Sequence, residues 1–145
     1  MRPGGYGRGM QHDEFIGRVQ DRARLPSRGA AERVTRATLE TLGERIPEGT
    51  AANLAAQLPA EIGEHLRRTI EMDGAGPGER FDRPQFVQRV AERAGAREPD
   101  AVYAARVVLE VVDEATTGGL IGKVRESLPE DIRDLLDAGS EGQLS

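Results

Sequence analysis

The sequence predicts an all-α fold of about eight helices, built as two similar four-helix units packed into one compact domain. Three observations predict it. Apolar residues recur at three- and four-residue spacing along nearly the whole chain, and no segment keeps the alternation of a strand. The pattern of the first half returns in the second at an offset of 70 or 71 residues. The punctuation between helices returns with it.

Taken in order, Phe15, Ile16, Val19 and Ala23 share one face of a first helix, which Pro26 interrupts. Ala30, Val34 and Ala37 begin a second helix, continued by Leu39, Leu42 and Ile46 and stopped by Pro47 and Gly49. Thr50 suits the N-cap of a third helix carrying Leu54 and Leu58. Pro59 suits the first turn of a fourth, where its missing N–H costs nothing, and Ile62, Leu66 and Ile70 form that helix's stripe.

Beyond a Gly- and Pro-rich stretch the pattern restarts. Phe86, Val87, Val90 and Ala94 mirror Phe15, Ile16, Val19 and Ala23. Glu98, Pro99 and Asp100 open a sixth helix faced by Val102, Ala105, Val108, Leu109 and Val112. Val107 to Val112 is rich enough in β-branched residues for a strand, but its spacing and its match to the first half predict a helix buried on two sides. Gly118 and Gly119 end it. Leu120, Ile121, Val124 and Leu128 mark a seventh helix, and Pro129 starts an eighth with Ile132, Leu135 and Leu136. The organisation is therefore a first unit over residues 10–71, a linker at 72–80 and a second unit over 81–139. A Gly-rich tail at 1–9 and a polar end at 140–145 flank them. Residues 1–9, 73–79 and 140–145 contain almost nothing to bury and are expected to be mobile. Met10 is a second candidate start.

Leu39-Glu40 matches Leu109-Glu110, Gly49 matches Gly119, and Leu58, Pro59 and Ile62 match Leu128, Pro129 and Ile132. At each Leu-Pro step the leucine is expected to anchor one helix end in the core, while the proline forces a sharp entry into the next helix. The opening Phe-Ile-Gly-Arg-Val at Phe15 to Val19, its echo Phe-Val-Gln-Arg-Val at Phe86 to Val90, and the two Leu-Pro motifs resemble domain-of-unknown-function family 2267. The resemblance spans residues 11–139 and implies a bacterial, all-helical protein of two similar halves. It implies no activity, cofactor or catalytic residue.

Composition narrows the functional classes. The 145 residues include no cysteine, which excludes disulfides, thiolate catalysis and Cys-ligated zinc. The net charge of -5 comes from interleaved signs, the pattern of a solvated helical surface and not of a nucleic-acid-binding face. Of the 20 basic residues only Lys123 is lysine. Arginine suits phosphate recognition, but Ala, Gly, Arg and Pro share GC-rich codons, so a high-GC bacterial genome accounts for the bias more simply. No apolar run reaches the roughly eighteen residues of a membrane span, and the N-terminus lacks the apolar core of a signal peptide. A cytoplasmic location is the expectation.

Five constellations have residue types that could carry chemistry. His12, Asp13 and Glu14 read as polar residues at a helix N-terminus, favoured by the macrodipole. Glu61 and His65 share a helix face, but Glu64 points about 100° away from His65, and the equivalents of Glu61 and His65 are Asp131 and Leu135, which is half of a di-metal set. Gly118 to Lys123 has the wrong spacing for a phosphate loop, and Val124 stands where a hydroxyl should be. Ser27, Ser127 and Ser140 have no histidine in a nucleophile context. Arg45 to Pro59 has the form of a helix-turn-helix, but Thr50 to Leu58 carries no basic residue for phosphate. No catalytic, cofactor-binding or metal-ligating set emerges. The expectation is a non-enzymatic interaction or regulatory protein without a cofactor, whose partner is a protein or a second copy of itself. The alternatives are a nucleic-acid-associated protein and a small-molecule binder using an apolar pocket between the two units.

Overall fold

Helix ends in this chain fall where the local chemistry changes. A computed structural model describes residues 10–71, 82–117 and 119–137, with the backbone alone at 70, 71 and 135–137. The expected mobility of 1–9, 73–79 and 140–145 lies outside the described residues, as do Gly118 and the side chains of Ile70, Leu135 and Leu136. Among the described residues there are eight α-helices and no strand: α1 His12–Arg22, α2 Arg28–Arg45, α3 Glu48–Gln57, α4 Ala60–Glu71, α5 Arg83–Ala94, α6 Glu98–Ala115, α7 Leu120–Glu126 and α8 Glu130–Asp137. The all-α expectation holds.

Capping explains the starts. The Ser27 hydroxyl accepts from the Ala30 N–H at 3.1 Å and starts α2. Asp82 and Gln85 form a reciprocal capping box at the start of α5, with Pro84 in the first turn. The third helix departs from the expected Thr50 cap. It begins at Glu48, with Pro47 in extended conformation as its N-cap and the Pro47 carbonyl accepting from the Ala51 N–H at 2.9 Å. Pro47 needs no N–H at that position, Glu48 favours the first turn, and Gly49 is absorbed inside it. Pro59 and Pro129 stand just before α4 and α8 and not inside their first turns. The Pro59 carbonyl accepts from Ile62 and Gly63, and the Pro129 carbonyl from Ile132 and Arg133.

The core is aliphatic, with Phe15 and Phe86 its largest side chains, and Leu39, Leu42, Ile46, Leu54, Ile62 and Leu66 fully buried around them. Leu58 and Leu128 are both buried, which makes the Leu-Pro steps core anchors. Helix α6 is buried on two sides, as Val107, Val108, Val111 and Val112 together with Ala101, Ala104 and Ala105 leave little surface. Three helix pairings recur along the chain, whereas α3 on α4 and α6 on α7 belong to one half each. α1 packs on α2 and α4, and α2 on α4; α5 packs on α6 and α8, and α6 on α8. Across the halves, α2 meets α5, α1 meets α6, α2 meets α6, and α3 meets α7.

Candidate functional site

Two polar arrangements stand out, one between the halves and one within the first. Between the halves, α1 presents Arg18 and Arg22, one helical turn apart, to Glu110 and Glu114 on α6. Arg18 Nη1 lies 2.8 Å from Glu114 Oε1, Arg22 Nη2 lies 2.6 Å from Glu114 Oε2, and Arg22 Nη1 reaches Glu110 at 3.5 Å. Helix α5 repeats this toward α2. Arg89 Nη1 lies 2.9 Å from Glu44 Oε1, Arg93 grips both Glu44 oxygens at 3.1 and 2.5 Å, and Arg93 Nε reaches Glu40 at 3.8 Å. Arg93 also donates to the buried Thr41 hydroxyl at 2.8 Å, while that hydroxyl donates to the Ala37 carbonyl. Burial would raise the Glu114 carboxyl, but hydrogen bonds from Arg22 and Arg18 outweigh it and hold it below its ordinary value.

Within the first half, α1, α2 and α4 enclose a cleft of about 400 Å³ lined by His12, Ile16, Gly29, Glu32, Arg33, Arg36, Glu61, Ile62 and His65. Its floor is apolar, since Ile16 and Ile62 are each 1% exposed. Its rim is charged. The cleft brings together both histidines of the chain, which are far apart in sequence. His65 is half-buried, and its Nδ1 has no hydrogen-bond partner among the described residues. Burial lowers the His65 imidazole below its ordinary value, with Arg68 and Arg36 acting the same way against Glu40 and Glu64. A neutral imidazole therefore faces the cleft at neutral pH. Arg36 leans on Glu40 at 3.4 Å, whereas Arg33 has no ion pair among the described residues.

Glu61 and His65 do share a face, as their spacing predicts, and both turn to the cleft; Glu64 is exposed outside it. Asp13 and Glu14 do not line it: Asp13 lies 3.0 Å from Arg28 and 3.6 Å from His12 Nδ1, and Glu14 pairs with Arg18 at 2.8 Å. No group of three metal-ligating side chains converges among the described residues. The cavity is polar and lies inside residues 10–71, so it is not the apolar pocket between units that one alternative required. Helix α3 turns Ala51, Leu54 and Ala55 into the core and exposes Asn53 and Gln57, with no cation for a phosphate. The shared cleft of His12 and His65, and the Arg–Glu pairs between the halves, are not anticipated from the sequence. The pairs left a signal there, since arginines four apart at 18 and 22 recur at 89 and 93, and glutamates four apart at 40 and 44 recur at 110 and 114.

No helix among the described residues is long and apolar enough to cross a membrane. No curated protein matches the chain. A family model described as Uncharacterized conserved protein (DUF2267) matches residues 12–135, nearly the whole helical region, and the chain belongs to that family.

Proposed function

We propose that this chain is a non-enzymatic interaction or regulatory protein of the bacterial cytoplasm whose recognition surface is the polar cleft among α1, α2 and α4. One observation carries the reading. Both histidines, two arginines and two carboxylates converge on one cavity over an apolar floor, whereas the second half has Val102, Tyr103 and Leu135 at the positions equivalent to Glu32, Arg33 and His65. An open, charged rim over buried isoleucines suits a partner that offers an acidic group to Arg33 beside a small apolar one. A small-molecule ligand is the second reading, favoured by a volume within the usual range of ligand sites. The nucleic-acid reading is weakened by the occupation of Arg18, Arg22, Arg28, Arg68, Arg89 and Arg93 with carboxylates.

The test is affinity capture from the native host with the wild-type chain and with Arg33→Ala/His65→Ala. The expected result is a protein partner captured by the wild type and lost by the variant at an unchanged melting temperature. A metabolite retained by the wild type and lost by the variant would favour the second reading. Nucleic acid recovered by both chains, with steep salt dependence, would overturn the proposal.

A further inference from the structure

The two sets of ion pairs between the halves are related by exchange of the halves. Arg18 and Arg89 are equivalent positions of α1 and α5, and each meets a glutamate, Glu114 or Glu44, at equivalent positions of α6 and α2. Arg22 and Arg93 are equivalent, and each chelates that same glutamate while touching a second, Glu110 or Glu40, one turn earlier. The helix contacts obey the same exchange. α1 on α6 becomes α5 on α2, while α2 meets its own counterpart α6, and α3 its counterpart α7. This is the signature of an isologous interface, in which residue i meets j and j meets i, and elements beside the axis meet themselves.

We infer that the face between the two halves is a self-recognition surface of isologous-dimer design, Arg18 and Arg22 meeting Glu110 and Glu114 as Arg89 and Arg93 meet Glu40 and Glu44, and that the partner it fits is the complementary half of a second copy of this chain. The inference rests on the reading of the chain as two similar units and is independent of the cleft. Complementarity resides in the helix faces. Each half carries an arginine pair on its first helix and a glutamate pair on its second, so each half offers both signs to a partner that offers both in return. Displacing the halves by a turn leaves one arginine of each pair without a glutamate, which favours one register. Eleven residues separate α4 from α5, and a chain spans at most about 3.3–3.6 Å per residue. Every contact of the closed chain can re-form between two chains, so the closed form is favoured only by the effective concentration of its own second half, on the order of millimolar for a short linker. Exchange of halves between copies is therefore a low-cost route to a dimer.

The test uses the full chain with a protease site placed within residues 74–78, cut only after folding. The cut halves are expected to elute together at low salt. Mixing isotopically labelled and unlabelled cut protein should give mixed pairs by native mass spectrometry. Arg18→Glu/Arg22→Glu should weaken association of the cut halves by at least about 100-fold through like-charge contact. Adding Glu110→Arg/Glu114→Arg should recover most of it. Separation of the wild-type cut halves, folded or unfolded, overturns the inference. So does a fourfold variant that associates no better than the double, because the recognition would then not lie in these pairs.

Discussion

The two halves of the chain share their helix order, their Leu-Pro steps and the ion pairs that join them, yet they differ at the cleft and where α3 meets α4. In the first half Gly63 lets α4 approach α3 so closely that an added Cβ would sit 2.6 Å from the Ala55 carbonyl oxygen. The second half has Arg133 at the equivalent position, a side chain that such an approach would exclude. The first half lines its cleft with Glu32, Arg33 and His65, and the second has Val102, Tyr103 and Leu135 there. Tyr103 is partly buried against the core and donates to the Arg22 carbonyl at 3.2 Å, so that position serves packing between the halves. Repeated positions supply the contact between the halves, and differing positions fall at the cleft and at the approach of α3 to α4.

The largest expected effect tests the shared frame. Leu58→Ala and Leu128→Ala each remove a buried anchor and should each cost about 2–5 kcal/mol, the range for a truncated core leucine. Thermal or denaturant melts of both variants check this. A cost confined to one half would break the equivalence, and an unchanged melting temperature in both would show that the Leu-Pro steps serve something other than the core.

Much of this frame was legible in the sequence, because a helix period and a repeated Leu-Pro step are local signals. Phe15, Val19, Phe86 and Val90 are buried as their spacing requires. The start of α3 was misplaced because Thr50 is the better side-chain cap, while Pro47 needs no cap partner and simply arrives first. The cleft was not legible. His12 and His65 line one cleft only through the packing of α1 and α4 on α2, and no local pattern encodes that angle. The Arg–Glu pairs lay between these cases. Each pair repeats visibly along the chain, but interleaved charges look the same on a solvated helix, and only the contacts of α1 with α6 and α5 with α2 tell the two apart.

The next effect separates the two sets of pairs by their burial. The Glu44 side chain is 16% exposed and the Glu114 side chain 37%. Glu44→Ala leaves Arg89 and Arg93 without their carboxylate in a poorly solvated place and should cost about 1.5–3 kcal/mol, the range for a hydrogen-bonded charge. Glu114→Ala should cost about 0.2–1 kcal/mol, as for exposed pairs. Equal costs in denaturant melts would show that the exposure difference is not felt. Next comes Gly63→Ala. The obstructing atom is backbone, so α3 and α4 must separate, at a cost of about 1–3 kcal/mol. Arg133→Ala at the equivalent position should fall within about 0.5 kcal/mol of wild type.

A smaller effect concerns pH. His65 has its folded pKa lowered by burial, so between that value and about 6.5 the unfolded chain binds more protons than the folded one. Stability should therefore rise with pH through this window and be lost as pH falls from about 6.5 through the lowered value. His65→Leu copies the second half's residue and should flatten the melting temperature between about pH 5 and 7, the span in which a histidine changes charge. An equally steep decline in the variant would move the effect to another group.

The smallest effect lies where the two halves end their first helix in the same way with different residues. Helices α1 and α5 both close in a Schellman motif. Leu25 N–H donates to the Gln20 carbonyl and Ala96 N–H to the Ala91 carbonyl, with Arg24 N–H and Gly95 N–H donating to Asp21 and Glu92. The residue at the turn is left-handed in both, with φ 56° at Arg24 and 66° at Gly95. Glycine adopts that conformation without strain, whereas a residue with a Cβ incurs roughly 1–2 kcal/mol. Arg24→Gly relieves this but gives the unfolded chain more freedom, which returns about 0.4–1 kcal/mol. The net gain should therefore be at most about 1.6 kcal/mol, or about 3–6 °C in melting temperature for a chain of this size. Gly95→Arg, the reverse exchange in the second half, should lose a similar amount. A fall in melting temperature for Arg24→Gly would mean that the arginine side chain contributes more to stability than its strain costs.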